Sequence, residues 1–108
     1  MQPDQVKLPD KSGTLKFIVI EYAGQAYLRF SGILHGFHSD LVESFLQELQ
    51  QLGITCDEDK LHVGGGKVDV DVENKHMKFY GQSSVYGRFD DNKLRSLMQG
   101  VDYEYEIG

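Results

Sequence analysis

The amino-acid sequence predicts an α+β fold, in which a single mixed or antiparallel β-sheet carries two packed α-helices. Two observations predict this class. Runs rich in β-branched and aromatic residues lie on both sides of one strongly amphipathic segment, and a second, shorter helical segment precedes the last such run. The 108 residues, 40% hydrophobic and 26% charged, suit one globular domain. We expect residues 13–108 to form that domain and residues 1–12 to form a flexible N-terminal tail.

The first two strands are predicted at residues 14–22 and 26–31, as a hairpin with a turn at residues 23–25. An amphipathic helix follows and ends before Gly53 at about Leu52, with Ser39 or Asp40 as its N-cap. Its apolar face is formed by residues at helical spacing: Leu41, Phe45, Leu49 and Leu52.

The second half of the chain predicts strands, turns and one short helix. A short strand is predicted at 54–56, followed by a tight bend at Gly64-Gly65-Gly66. A hairpin follows, with a strand that contains Val68, Val70 and Val72, a turn at 73–75 and a return strand at 76–80. The chain then continues with a loop at 81–87, a helix from Asp90 or Asp91 to Met98, and a last strand at 101–107.

Charge and cysteine content exclude several classes of function. The net charge of −6 disfavours nucleic-acid binding, which needs a basic face. The single cysteine, Cys56, permits no internal disulfide and fits a reducing compartment. No apolar stretch approaches the length of a membrane span, and the N-terminus does not resemble a signal peptide. We therefore expect a cytoplasmic monomer without nucleic-acid or membrane partners.

His38 is the first candidate for chemistry, because it lies beside the predicted helix start. A helix N-terminus favours an anion, and an imidazole next to a bound phosphoryl group could transfer protons near neutral pH. A surface histidine near a cap is the simpler interpretation from the residues alone. His35 and His38 form a His-x-x-His pair, but no further ligands complete a metal site, so we expect no metal and no cofactor.

Three further features could bind an anion, although each has an ordinary structural interpretation. The glycine run followed by Lys67 lacks the spacing of a nucleotide-binding motif and can be a simple bend. Ser83 and Ser84 lie between two glycines and can belong to an ordinary turn. Lys16 interrupts an apolar strand and can point to solvent.

Taken together, four segments resemble the protein histidine phosphatases, the family that includes the Janus and Ocnus proteins. They are the strand with Lys16 at residues 15–20, the helix entry Phe37-His38-Ser39-Asp40-Leu41, the run Gly64-Gly65-Gly66-Lys67, and the loop Phe79-Tyr80-Gly81-Gln82-Ser83-Ser84-Val85-Tyr86-Gly87. The resemblance covers nearly the whole chain, and the four segments occur in the family's order.

This resemblance implies a metal-independent hydrolase that cleaves the P–N bond of phosphohistidine in protein substrates. His38 falls on the catalytic histidine, either as general base or as nucleophile, and Lys16 on the phosphate-binding lysine. The remaining implied phosphate ligands are Ser39, Ser83, Ser84, Val85, Lys67 and Arg29. Lys67 stands where arginine is usual, which keeps the charge but loses a bidentate contact. Arg29 matches the family's arginine only loosely.

Two alternatives to catalysis remain open. The chain could be a non-catalytic, phosphoprotein-binding or regulatory Janus-type protein. It could also be a small interaction module that does not bind phosphate and that uses its acidic surface against a basic partner.

Overall fold

The computed structural model describes residues 3–31 and 38–108. Their elements follow one another in the predicted order, except that the short strand predicted at 54–56 is absent and a short 3-10 helix follows α1. The bounds are β1 (Gly13–Tyr22), β2 (Gln25–Phe30), α1 (His38–Gln51), the 3-10 helix (Glu58–Lys60), β3 (His62–Asp71), β4 (His76–Tyr80), α2 (Asp91–Met98) and β5 (Glu104–Ile107).

The strands form a single sheet in the order β2-β1-β3-β4-β5. The first four strands pair antiparallel with their neighbours, and β5 runs parallel to β4. The sheet is therefore mixed and carries two helices, which confirms the predicted α+β class. The parallel pairing of β5 follows from α2, because a parallel strand pair needs a crossover connection.

The two helices pack on the sheet through separate apolar clusters, because successive strand residues point to opposite faces. On one face, α1 buries Leu41, Val42, Phe45 and Leu49 against a cluster that includes Ile18, Ile20 and Tyr27. On the other face, α2 buries Leu94, Leu97 and Met98 against a cluster that includes Leu15, Phe17, Val19 and Phe79. Lys16 thus shares its face of β1 with the residues that α1 covers.

The helix predictions are confirmed in type and differ in one boundary. α1 begins at His38, before the predicted start, so Ser39 and Asp40 lie in its first turn and neither is the residue that precedes the helix. The Asp40 carboxylate is still favourable there, because the first turn is the positive end of the helix dipole. For α2, the N-cap is Asp90, one of the two candidate residues, and its side chain accepts hydrogen bonds from the backbone N–H groups of Asn92 and Lys93.

Two predictions for the middle of the chain were wrong. Residues 54–57 form no strand. The glycine run is not a bend before β3 but lies inside it, because β3 extends back to His62 and pairs with β1 along its length. A glycine run weakens a strand locally, so its presence there needs a reason in the surrounding packing.

The N-terminal segment contacts the outer edge of β2. The Leu28 N–H donates to the Gln5 carbonyl at 2.7 Å, and the Lys7 N–H donates to the Leu28 carbonyl at 3.4 Å. Arg29 adds hydrogen bonds from its guanidinium to the carbonyls of Asp4 and Gln5. Residues 4–7 of the predicted flexible tail are thus packed against the sheet.

Arg29 also joins β2 to α1. Its side chain is 6% exposed and donates two hydrogen bonds to the Glu48 carboxylate, which also receives Lys7 at 2.5 Å. Burial raises the pKa of Glu48, but hydrogen bonds from Arg29 and Lys7 outweigh burial, and the net pKa lies below its ordinary value of 4.5. The ionised carboxylate is therefore the form that the fold stabilises.

Replacement of Arg29 by alanine is expected to lower the free energy of unfolding by about 3 kcal/mol, since it leaves Glu48 and several carbonyls without their donor. Because the folded pKa of Glu48 is depressed, the wild-type pair stabilises the fold above the unfolded pKa and loses this effect as pH falls through the folded pKa. Urea unfolding at pH 7 and pH 3.5 should show a smaller difference between wild type and Arg29→Ala at the lower pH. An equal difference at both pH values would contradict this account.

Candidate functional site

His38 is the first residue of α1, and its imidazole packs on β3. The residue is 9% exposed, and the ring Nε2 lies 3.0 Å from the carbonyl oxygen of Gly66. A carbonyl oxygen only accepts hydrogen bonds, so Nε2 must carry the hydrogen in this contact. In the neutral imidazole the other nitrogen, Nδ1, then holds the lone pair. This is the nitrogen that could accept a proton or attack a phosphorus atom.

Gly65 makes room for this ring. A Cβ atom at position 65 would lie 2.7 Å from the His38 Cδ2 atom and 2.7 Å from the Phe17 carbonyl oxygen. The flanking glycines, Gly64 and Gly66, face the other side of the sheet. A Cβ atom at position 64 would lie 2.5 Å from the Arg88 carbonyl oxygen, and one at position 66 would lie 2.4 Å from the Tyr80 carbonyl oxygen. The glycine run thus permits close approach on both faces of β3, and on one face the approaching group is His38.

The loop between β4 and α2 is attached to the same point of β3. The Ser83 N–H donates to the carbonyls of Gly65 at 3.0 Å and Gly87 at 3.1 Å. The Gly87 N–H donates back to the Ser83 carbonyl at 2.9 Å, and the Gly65 N–H donates to the Gly87 carbonyl at 3.1 Å. Gly65 therefore contacts the His38 ring and also anchors the loop, so the fold brings the predicted histidine and the predicted serine loop to one glycine.

Ser83 shapes this loop from within. The residue is 2% exposed, and its Oγ accepts hydrogen bonds from the N–H groups of Val85 at 3.2 Å and Tyr86 at 3.1 Å. Ser84 is exposed, and Val85 is 70% exposed. The buried serine fixes the loop conformation, while its two successors form the solvent-facing surface of the loop.

Ser83→Ala is expected to destabilise the fold by about 1–3 kcal/mol, because two backbone N–H groups lose their acceptor. The same loss should loosen residues 83–87. Urea unfolding and amide hydrogen exchange measure the two effects. Ser84→Ala, at an exposed position of the same loop, is the matched control. Equal unfolding free energies for the two variants would contradict the role given to Ser83.

Tyr86 is a residue of this site that the sequence analysis did not single out by role. Its hydroxyl donates to the Glu58 carboxylate at 2.9 Å, and its ring packs against the apolar cluster beneath α1. Burial, followed by the Glu58 hydrogen bond, raises the pKa of Tyr86 to about 12, so the phenol remains a donor at physiological pH. The sequence did contain a signal for this role. Tyr86 is the second tyrosine of the segment from Tyr80 to Gly87, and a large aromatic side chain in a short loop tends to anchor that loop.

Two lysines lie on the same face of the sheet as Gly65. Lys16 of β1 and Lys67 of β3 are register partners, and Lys67 is two residues from Gly65, so all three share the α1 face. Lys16 is half-buried and Lys67 is exposed. Ser39 is exposed in the first turn of α1, where backbone N–H groups have no partner within the helix. The two lysines thus lie on the face of the sheet on which the His38 ring packs, and Ser39 directly follows His38 in the first turn of α1.

Arg29 does not belong to this group. All five N–H hydrogens of its guanidinium are used, two by Glu48 and the others by the carbonyls of Leu28, Gln5 and Asp4. No donor remains for a phosphate in this conformation. The physical reason is its strand position, since Arg29 pairs with Ile18 and points under α1 toward Glu48. We therefore leave Arg29 out of the site proposed below.

Neither of the other two described histidines faces the His38 ring, because His62 shares the face of Gly64 and His76 lies on β4. His62 is exposed on β3, and His76 lies 3.7 Å from Glu106 near the other end of the sheet. His35, the partner of His38 in the His-x-x-His pair, lies outside the described residues. Over residues 3–31 and 38–108, no three His, Cys, Asp or Glu side chains come together as a metal site requires. Within the same ranges, neither helix has the length and apolar character needed to cross a membrane.

Comparison with known proteins gives the family. The sequence model of the Janus/Ocnus family (Ocnus) matches residues 3–106. The sex-regulated protein janus-A of Drosophila pseudoobscura pseudoobscura is 26% identical over 117 aligned positions, which cover 96% of this chain and 76% of that protein. The sex-regulated protein janus-B of Drosophila melanogaster is 36% identical over 62 residues, 57% of this chain and 41% of that protein.

Janus-B of Drosophila orena is 34% identical to this chain over 62 residues. The matched region spans about two fifths of the janus-B proteins. The match to janus-A spans three quarters of that protein, and the family model covers both helices and all of the sheet except its last residue, Ile107. On these matches, the chain is a member of the Janus/Ocnus family.

Proposed function

We propose that this chain is a protein phosphohistidine phosphatase, which hydrolyses the P–N bond of phosphohistidine in other proteins without a metal ion. The observation that carries the proposal is the hydrogen bond between His38 Nε2 and the Gly66 carbonyl. A buried ring held at Nε2 leaves Nδ1 as the reactive nitrogen, in a fixed orientation. Fixing the tautomer in this way is what a general base or nucleophile requires.

The surroundings of the ring suit a phosphoryl group. Its negative oxygens need donors that are already in place, because such donors stabilise charge in the transition state without reorganising. These donors can come from three sources: the N-terminus of α1, the loop at 83–87, and the side chains of Lys16 and Lys67. Lys67 provides a point charge in place of the planar fork of an arginine, so it would contribute electrostatic attraction more than orientation.

Hydrolysis then proceeds by one of two routes. In the first, His38 Nδ1 takes a proton from water as the water oxygen attacks phosphorus, and the P–N bond electrons go to the departing imidazole nitrogen. In the second, Nδ1 itself attacks phosphorus, and water later hydrolyses the phosphorylated His38. Both routes use the same nitrogen, and both need in-line approach opposite the leaving group.

The test is phosphate release from a histidine-phosphorylated protein, with and without EDTA. We expect turnover at equal rates in both conditions, because lysine side chains and backbone N–H groups, and not a metal ion, would stabilise the negative charge of the phosphoryl group. Dependence on Mg²⁺ would contradict the site assignment. Absence of turnover, combined with phosphate-induced NMR shifts at Ser39 and residues 83–85, would instead favour a regulatory phosphoprotein-binding member of the family. Under this proposal, the substrates are histidine-phosphorylated proteins of the cytoplasm, and the phosphatase acts as a monomer.

A further inference from the structure

The α1 face of the sheet is only partly covered by the described residues. The helix packs over Ile18, Ile20 and Tyr27, whereas Lys67 and Asp69 farther along β3 are exposed. We call this uncovered part of β1, β3 and β4 the open face. It begins beside the His38 ring at Gly65 and continues through Lys67 to Asp69. The open face is therefore continuous with the proposed phosphate site.

Asp69 is an acidic group of the open face that two hydrogen bonds hold in place. One of its carboxylate oxygens, Oδ1, accepts a hydrogen bond from the Thr14 hydroxyl at 2.8 Å and another from the Tyr80 hydroxyl at 3.1 Å. Burial, followed by the Asp69 hydrogen bond, raises the pKa of Tyr80, so this phenol remains a donor. Two donors on a single oxygen fix the plane of the carboxylate and direct the other oxygen elsewhere.

The spacing between Lys67 and Asp69 along β3 suits the length of a phosphohistidine side chain. Asp69 is two residues from Lys67 on the same face of β3, which corresponds to about 7 Å. A phosphoryl group near Lys67 and His38 would place the substrate imidazole ring over this interval. The titratable and charged groups around Asp69 are Lys67 and Asp71 on its own strand, Lys16 on β1, and His76, Lys78 and Tyr80 on β4.

We propose that Asp69 binds the substrate imidazole in its protonated form, by accepting a hydrogen bond from the ring nitrogen that does not carry phosphorus. This role rests on the proposed function. When the distal nitrogen is protonated, cleavage of the P–N bond returns the electron pair to the nitrogen that carried phosphorus. The leaving group is then a neutral histidine that keeps its distal N–H, whereas an unprotonated ring would depart as an anion.

This role makes Asp69 a determinant of substrate class. A carboxylate favours an imidazolium, with its N–H group and positive charge, over the uncharged leaving group of a phosphate ester. p-Nitrophenyl phosphate has no such N–H group and gains nothing from Asp69. We therefore expect Asp69 to contribute to the preference for phosphohistidine and not to phosphoryl binding in general.

The experiment compares Asp69→Asn with wild type on free phosphohistidine and on p-nitrophenyl phosphate. Asparagine keeps an oxygen for the Thr14 and Tyr80 hydroxyls, so the local structure should survive. The ratio of kcat/KM for phosphohistidine to that for the ester should fall about tenfold. Asp71→Asn, the same change two residues farther along the same face, is the matched control and should leave the ratio within a factor of two.

A pH profile provides the second readout. A carboxylate that stabilises the protonated ring keeps phosphohistidine reactive to higher pH. The alkaline limb of kcat, which reports the groups of the enzyme–substrate complex, should therefore move to lower pH in Asp69→Asn and stay in place in Asp71→Asn. If the ester is not hydrolysed at all, this profile decides alone.

The contrary outcomes are distinct. An equal loss on both substrates, no loss on either, or the same loss in Asp71→Asn would overturn the role of Asp69 while the phosphatase activity stands. Failure of the wild-type chain to hydrolyse phosphohistidine would overturn the proposed function, and the role of Asp69 with it.

Discussion

His38→Ala is expected to lower kcat for phosphohistidine hydrolysis by about a thousandfold or more, while the protein remains folded. The imidazole would supply either the proton acceptor or the nucleophile, and neither water nor a neighbouring lysine can replace it in the same orientation. The fold should survive, because the ring lies at the end of α1 and above Gly65, outside both apolar clusters. Phosphate release, circular dichroism and thermal unfolding measure these quantities together.

The control for this variant is His62→Ala. It removes one imidazole from an exposed position on β3 and should leave kcat within a factor of two. If His38→Ala kept more than a tenth of the wild-type kcat, the role of His38 as base or nucleophile would be refuted. Phosphate binding can be measured in the same variant, and its retention would show that groups other than the ring bind the phosphate.

The two chemical routes differ in what accumulates during a single turnover. If His38 is the nucleophile, mixing excess enzyme with labelled phosphohistidine should transfer the label to His38 before phosphate appears. If His38 is a general base, label passes directly to phosphate and none is found on the protein. Rapid quenching in alkali preserves phosphohistidine and allows the two outcomes to be separated.

The fold class was predictable because its signals are local. The apolar spacing of Leu41, Phe45 and Leu49 defines α1, and the Asp90 cap defines the start of α2 without reference to the rest of the chain. Strand alternation similarly located β4. These patterns depend on which face of each element is buried, and a short stretch of sequence carries that information.

The role of the glycine run was not predictable in this way. A glycine run is an ordinary sign of a bend, and the groups that require small residues at 64–66 come from distant segments. They are the Arg88 backbone, the His38 ring and the Tyr80 carbonyl. Arg29 illustrates the same limit, because its engagement with Glu48 depends on how α1 crosses β2. In both cases the deciding contact is a tertiary one.

The candidate site was predictable in part. The resemblance named His38, Lys16 and the serine loop. The fold brings the His38 ring and the loop to Gly65, and it places Lys16 on the same face of the sheet. The resemblance did not indicate how Ser83 acts. The hydroxyl of Ser83 is buried and accepts two backbone hydrogen bonds, and the residue type alone does not distinguish this role from that of an exposed phosphate ligand. Burial and hydrogen-bond partners separate the two roles, and both require the folded chain.

Gly65→Ala is expected to reduce kcat by about a hundredfold or more, because the new methyl group would occupy the space of the His38 ring. Its carbon would lie 2.7 Å from the His38 Cδ2 atom, well inside van der Waals contact. The ring must move, and the hydrogen bond from Nε2 to the Gly66 carbonyl must lengthen or break. Since the same methyl also approaches the Phe17 carbonyl, we expect a loss of about 1–3 kcal/mol in unfolding free energy.

Gly64→Ala separates the two effects. Its methyl group would approach the Arg88 oxygen to 2.5 Å on the opposite face of β3, so it should cost similar stability without touching the His38 ring. Measured well below the melting temperature of both variants, kcat should fall far more in Gly65→Ala than in Gly64→Ala. The NMR signals of the His38 ring should shift in Gly65→Ala alone. Equal losses of kcat in the two variants would mean that strand distortion, and not ring position, controls turnover, and the link between this glycine and the reactive Nδ1 would be lost.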